Sequence, residues 1–150
     1  MESARLSAVK PPAELVDEFR ARGLKITPQR QLLFRLLADD ITHPTAEGLY
    51  ARAVDEMPGI SLRTVYTTLT DLVEMGELAQ LNLDSGPARF DQNVDDHHHA
   101  QCSSCRDVAD VYVAGAESLC VTGLEDFRPA STSIVFHGAC VTCVEAGRST

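Results

Sequence analysis

No stretch of the 150-residue sequence is apolar for long enough to cross a bilayer, which takes about 20 consecutive apolar residues in a helix. The first twelve residues lack the apolar core of a secretion signal, so nothing in them predicts export. Internal repeats and low-complexity tracts are also missing. These absences predict a cytoplasmic globular protein, in a reducing compartment where paired cysteines bind metal more readily than they form disulfides. With 44% hydrophobic and 23% charged residues, the length suits one ordinary domain or two small ones.

Basic charge is scarce, 13 Lys and Arg against 22 Asp and Glu, for a net charge of −9. Taken alone, that balance argues against a nucleic-acid partner. Its distribution argues otherwise. Residues 19–38 contain Arg20, Arg22, Lys25, Arg30 and Arg35 and no acidic residue, which leaves 8 basic residues (13 − 5) among all 22 acids elsewhere. Such a patch is either an electrostatic footprint for nucleic acid or simply a solvated helix face.

Pro11-Pro12 leads into a helical segment over 13–21 that Gly23 ends. Thr27-Pro28 starts a second helix to about residue 38, with Leu32, Leu33, Leu36 and Leu37 as its apolar stripe. Thr45 caps a third, to about residue 57, broken by Pro58-Gly59. Ser61 caps a fourth, over about 62–75, with Val65, Leu69, Leu72 and Val73 inward and Arg63, Thr64, Tyr66, Thr67 and Thr68 on the other faces. Residues 78–83 and 88–91 flank the turn Asp84-Ser85-Gly86-Pro87 and read as a hairpin. Helices followed by a hairpin form the winged helix-turn-helix pattern, in which the helix after the tight turn enters the major groove. Lys25, Arg30, Arg63, Thr64, Tyr66 and Thr67 are then candidate DNA contacts; the alternative is a plain polar surface helix. Beyond a polar linker at 93–96, residues 108–113 and 133–136 read as strands, and 113–127 as a short helix with loops.

Cys102-Ser-Ser-Cys105 and Cys140-Val-Thr-Cys143 are two C-x-x-C units separated by residues 106–139. That spacing turns two thiolates inward on one ion, and two such turns complete a closed tetrahedral site for structural Zn²⁺. A redox dithiol, an iron–sulfur cluster and two unrelated turns are the rival readings. Cys120, the odd cysteine, suits a small buried hydrophobe better than a reactive thiol. In His97-His98-His99, positions 97 and 99 fall on one side of an extended chain. With Asp91 and Asp110 nearby, the donors favour Fe²⁺, Mn²⁺ or Zn²⁺ over Ca²⁺ or Mg²⁺; a solvated histidine cluster is the alternative. Ligands of this type also serve non-haem iron oxygenases, but no second substrate-pocket signature accompanies them, and an enzyme is not expected.

Gly23-Leu-Lys-Ile-Thr-Pro-Gln-Arg30, His43-Pro-Thr-Ala46, Thr64-Val-Tyr66, Arg89-Phe-Asp91 and His97-His-His-Ala-Gln-Cys102 follow one another in order. With both cysteine pairs, they make a sequence that resembles the ferric uptake regulator (Fur) family of bacterial metal-dependent repressors over about residues 13–143. The resemblance implies an α+β protein with a winged-helix DNA-binding domain at 1–91 and a small α/β dimerisation and metal-binding domain at 92–150. It implies a homodimer on a palindromic operator. It assigns Cys102, Cys105, Cys140 and Cys143 to structural Zn²⁺. His43, Asp91, His97, His99 and Asp110 match a regulatory site for Fe²⁺ or Mn²⁺ that bridges the two domains. Asp at position 91, where iron-sensing members more often carry Glu, resembles the peroxide-sensing PerR type, in which a ligand histidine matching His43 or His97 is oxidised. A further family metal site uses a histidine where this chain has Thr132, so that site is expected to be absent, with His98 unligated. His137 has no clear family counterpart.

Overall fold

The helix starts of the N-terminal half are set by prolines and hydroxyls. The computed structural model describes residues 9–83 and 86–148. Helix α1, Pro12–Ala21, begins on its proline, which supplies a preset φ where no amide partner is needed. Helix α2 is Pro28–Leu37, α3 is Ala46–Glu56 and α4 is Leu62–Glu74. Their caps are Thr27, Thr45 and Ser61, whose hydroxyls accept from the amides of Arg30, Gly48 and Thr64 at 3.3, 3.0 and 3.1 Å. Each cap satisfies an amide that the helix leaves orphaned, which stabilises it by about 1 kcal/mol. Helix α1 stops where Gly23 takes φ 72° and Leu24 N–H reaches back to the Phe19 carbonyl at 2.9 Å. A left-handed residue here would strain any side chain larger than hydrogen.

Leu15, Phe19, Leu33, Phe34, Leu37, Leu49, Val65, Leu69 and Leu72 form the core of this helical unit, with the Phe19 and Phe34 rings edge to face at 4.8 Å. Thr68 joins them, fully buried, which corrects its expected place on an outer face. The spacing 65–68–69–72 explains the outcome, because it follows one helical stripe. The Thr68 hydroxyl donates to the Thr64 carbonyl at 2.8 Å, so it enters the core already satisfied.

Strands β1, Ala79–Leu81, and β2, Arg89–Asp91, pair antiparallel with Gln80 opposite Phe90. They are shorter than the predicted hairpin arms, and Asp84 and Ser85 of the predicted turn lie outside the described residues. Leu78 and Phe90 are buried with the helical core, which anchors the wing to the helices.

The chain divides into two units, Met1–Asp95 and Asp96–Thr150. In the second, β3 (His98–Cys102), β4 (Val108–Val111) and β5 (Val135–Gly138) form a sheet in the order β4-β3-β5. Strand β3 runs antiparallel to β4 and parallel to β5. The strand expected over 108–113 thus ends at Val111, and the one expected over 133–136 is shifted to 135–138. The helix expected within 113–127 is a single 3₁₀ turn, Ala116–Ser118; the left-handed Gly115 and Gly123 interrupt it. A short helix α5, Val141–Glu145, follows the third cysteine.

Two ion pairs in the helical unit differ in what surrounds them. Arg30 Nη2 meets Asp71 Oδ2 at 2.8 Å, with side chains only 15% and 18% exposed, and its guanidinium lies 5.2 Å from the Phe19 ring centre. Arg35 meets Glu56 with side chains 61% and 43% exposed. Removing one partner of a sheltered pair strands the other charge, whereas an exposed pair is screened by water. Asp71→Ala should therefore lower stability by about 1–3 kcal/mol and Glu56→Ala by less than about 1 kcal/mol, both read from urea midpoints of the full chain.

Candidate functional site

The parallel pairing of β3 with β5 sets Cys102 opposite Gly138, bringing the ends of both strands, and hence both C-x-x-C turns, side by side. Cys102 closes β3, Cys105 lies in the turn that follows, Cys140 caps α5 and Cys143 sits inside it. The turns are stitched together by Ser103 N–H to the Gly138 carbonyl at 2.7 Å and Cys140 N–H to Cys102 Sγ at 3.3 Å. All four sulfurs lie within 4.8 Å of one another, and Cys105 Sγ is 3.8 Å from Cys140 Sγ. Four zinc–sulfur bonds of about 2.3 Å, set tetrahedrally, require neighbouring sulfurs about 3.8 Å apart. A disulfide would bring two of them to about 2.0 Å, and all four cysteines are free. The donor set therefore fits a single tetrahedral ion.

The thiols are not equivalent. The backbone N–H groups of Cys105 and Cys140 bring the Cys102 thiol down to about 6. Cys105 is pushed up to about 12; the Asp107 N–H pulls it down, but desolvation and the three neighbouring sulfurs outweigh that pull. Cys143 is raised by burial and then by the sulfur of Cys140. Four thiolates at this separation repel one another unless a cation stands among them.

The histidine and carboxylate candidates fall in both units. In the second unit, the register opposes His99 and Asp110 directly. Asp110 Oδ1 is 3.2 Å from His97 Nε2 and 3.8 Å from His99 Nε2, and the two imidazole centres are 4.5 Å apart. His97 and His99 thus share one face, as their i, i+2 spacing requires. His98 points away from them, and its Nδ1 accepts the Ile134 N–H at 3.1 Å. In the first unit, His43 Nε2 is 3.3 Å from Asp91 Oδ2. Asp91 Oδ1 accepts the Asn93 N–H at 2.8 Å, which aims the other oxygen at His43. His43 itself holds φ 54°, a left-handed conformation that costs a non-glycine residue about 1–2 kcal/mol.

Around His43 lie residues that the sequence reading passed over. Asp40 takes the Thr42 N–H and hydroxyl on one oxygen and the Arg52 guanidinium on the other. Burial raises its carboxyl, but the Thr42 and Arg52 bonds outweigh burial and hold it below the usual carboxylate range. Gln92, next to Asp91, donates to the carbonyls of Leu37 and Asp40. An isolated Asp, Arg or Gln in a loop carries no pattern by which sequence could have singled it out.

On α4, Arg63, Tyr66 and Thr67 are exposed and Thr64 is half-buried. Tyr66 Oη donates to Glu47 Oε1 of α3 at 2.5 Å, which raises the tyrosine and lowers the glutamate from their ordinary values. Lys25 is exposed. The Arg30 guanidinium is engaged by Asp71 and the Lys25 carbonyl, which fastens α2 to α4. Cys120 and His137 are exposed, the former against its expected burial, since residues 119–122 belong to no strand or helix that could cover it.

Comparison with known proteins accords with this geometry. The profile of the ferric uptake regulator family matches residues 21–144. The peroxide-responsive repressor PerR of Staphylococcus epidermidis is 29% identical over 136 residues, covering 89% of this chain and 91% of its own. The peroxide operon regulator of Bacillus subtilis is 28% identical over 132 residues, covering 87% and 91%. Among solved structures, a zinc-bound manganese uptake regulator has 27% identity and a TM-score of 0.69, covering 88% of this chain and 100% of its own. The ferric uptake regulator of Helicobacter pylori has 19% identity and a TM-score of 0.74, covering 93% and 96%, a likeness of fold. No helix among the described residues is long and apolar enough to cross a membrane. The chain belongs to the ferric uptake regulator family, whose members are metal-responsive, DNA-binding transcription regulators and not enzymes.

Proposed function

We propose that this chain is a metal-dependent repressor that senses peroxide through bound Fe²⁺ and releases a palindromic operator when a ligand histidine is oxidised. The observations that support the reading are the His43–Asp91 pair within the first unit and Asp110 beside His97 and His99 within the second. These make five donors if one ion draws on both units. One ion held by both halves fixes the angle between the DNA-binding unit and its dimerisation unit. Such an ion shifts the population towards the closed form by as much as it prefers that form. DNA binding then gains because a preorganised dimer has less to order on the operator. Lys25, Arg63, Thr64, Tyr66 and Thr67 are the residues proposed to meet DNA, with α4 in the major groove. Of the basic run, Arg30 and Arg35 face Asp71 and Glu56, so Lys25 is the residue of the run proposed to supply charge to the DNA backbone.

The four cysteines hold Zn²⁺ permanently, because a closed set of thiolates leaves no position for exchange or chemistry. The His/Asp set, of mixed nitrogen and oxygen donors, suits Fe²⁺ or Mn²⁺ and their exchange. Bound Fe²⁺ supplies one-electron reduction of hydrogen peroxide. His43 and His97 are the groups of this chain that would take the damage, and an oxidised imidazole no longer donates its nitrogen. Aspartate at 91 and the likeness to two named peroxide regulators favour this reading. A manganese-, iron- or zinc-responsive repressor of uptake genes is the second reading, favoured by the likeness to the manganese uptake regulator.

Cys143→Ser should abolish zinc retention and unfold the 96–150 unit, as elemental analysis and circular dichroism would report; full zinc content in that variant contradicts the site. His43→Ala should lose metal-stimulated operator binding in a gel shift while keeping its zinc, and undiminished stimulation rules out the bridging ion. Iron-loaded protein treated with peroxide should gain an oxygen atom on His43 or His97 by peptide mass, and manganese-loaded protein should not. Unchanged mass with retained DNA binding would leave the pure metal sensor.

A further inference from the structure

His43 holds a left-handed backbone conformation, in a loop where no glycine relieves it. Something must hold it there. The residues around it form a clamp lying wholly within the first unit. The Gln92 side-chain amide, 9% exposed, donates to the carbonyls of both Leu37 and Asp40, the latter at 2.6 Å. The Leu37 carbonyl ends α2, where helical partners run out, and the Asp40 carbonyl lies in the loop that follows. The Arg52 guanidinium grips the Asp40 carboxylate and the Leu36 carbonyl, the latter at 2.8 Å. Beyond His43, Phe90 N–H donates to the Pro44 carbonyl at 2.9 Å and Arg89 Nη1 to the His43 carbonyl at 3.2 Å. Strand β2 and Gln92 thus hold the loop on both sides of His43, and Asp91 sits between the two grips.

We infer that Gln92 is a positioning residue for metal sensing, which, with Asp40 and Arg52, presets His43 against Asp91 before any ion arrives. The inference rests on the reading that His43 and Asp91 are metal ligands. The Gln92 amide nitrogen is committed to the Leu37 and Asp40 carbonyls, so its effect acts through the loop. If the clamp is absent, the strained backbone of His43 relaxes, and binding must first restore it. Partners one shell out from a metal commonly change its affinity by about 10–100-fold, although they never touch the ion.

The test uses the full-length, zinc-loaded chain. Mn²⁺ affinity is measured by titration for the wild type, His43→Ala, Gln92→Leu and Arg52→Gln. Hydrogen exchange of residues 38–44 is followed without Mn²⁺, and Leu69→Ala serves as a variant that destabilises the helical core away from the clamp. The inference expects 38–44 to be protected in the metal-free wild type. It expects Gln92→Leu to lose that protection and about 10-fold in Mn²⁺ affinity, Arg52→Gln to lose less, and Leu69→Ala to keep its affinity while its melting temperature falls. Unchanged affinity in Gln92→Leu, or free exchange of 38–44 in the wild type, overturns it, as does an equal affinity loss in Leu69→Ala. Should Gln92→Leu fail to fold, Arg52→Gln and the wild-type exchange decide. If instead His43→Ala binds Mn²⁺ as the wild type does, the ligand assignment itself has failed, a result distinct from failure of the clamp.

Discussion

The pairing of β3 with both its neighbours is the constraint on which the C-terminal unit depends. Its parallel register with β5 joins the two cysteine turns, and its antiparallel register with β4 opposes His99 and Asp110. A strand slip of one residue would turn each of these side chains to the other face. Because His99 and Cys102 lie three residues apart on the same strand, a cation among the four sulfurs would also hold the histidine face in register. The unit is small, with Cys102, Val108 and Cys143 as its buried apolar residues, so its own core stabilises it little. A structural ion among the sulfurs supplies what the core cannot.

The first unit is built the opposite way. Its four helices, three of them capped by hydroxyls, enclose an apolar core that includes three phenylalanines and eight leucines. What we propose it contributes to sensing is the loop between α2 and α3, held by Gln92, Arg52 and the wing. The Arg30–Asp71 pair then joins α2, which ends at that loop, to α4, which faces outward with Arg63, Tyr66 and Thr67.

Much of this was legible in the sequence because the signals are local. Thr27-Pro28, Thr45 and Ser61 announce helix starts through cap chemistry that acts within three residues. The C-x-x-C pairs and the H-x-H spacing declare their geometry in the same way. What was not legible depends on a residue's wider surroundings. Thr68 was misplaced because a hydroxyl reads as surface until the stripe around it is counted. The Arg30–Asp71 pair was not legible, since its partners lie 41 positions apart. Gln92 was invisible, since its partners lie more than 50 positions earlier. The short helix with loops expected over 113–127 is a 3₁₀ turn between the left-handed Gly115 and Gly123.

The central claim is that one exchangeable ion, shared by ligands from both units, sets the angle between them. Small-angle scattering of the zinc-loaded dimer, recorded without and with saturating Mn²⁺, tests it most directly. The account predicts that Mn²⁺ shifts and narrows the distribution of interatomic distances, and that the shift disappears when His43 is replaced by alanine. Identical scattering with and without Mn²⁺, at an occupancy shown to be complete, would contradict it.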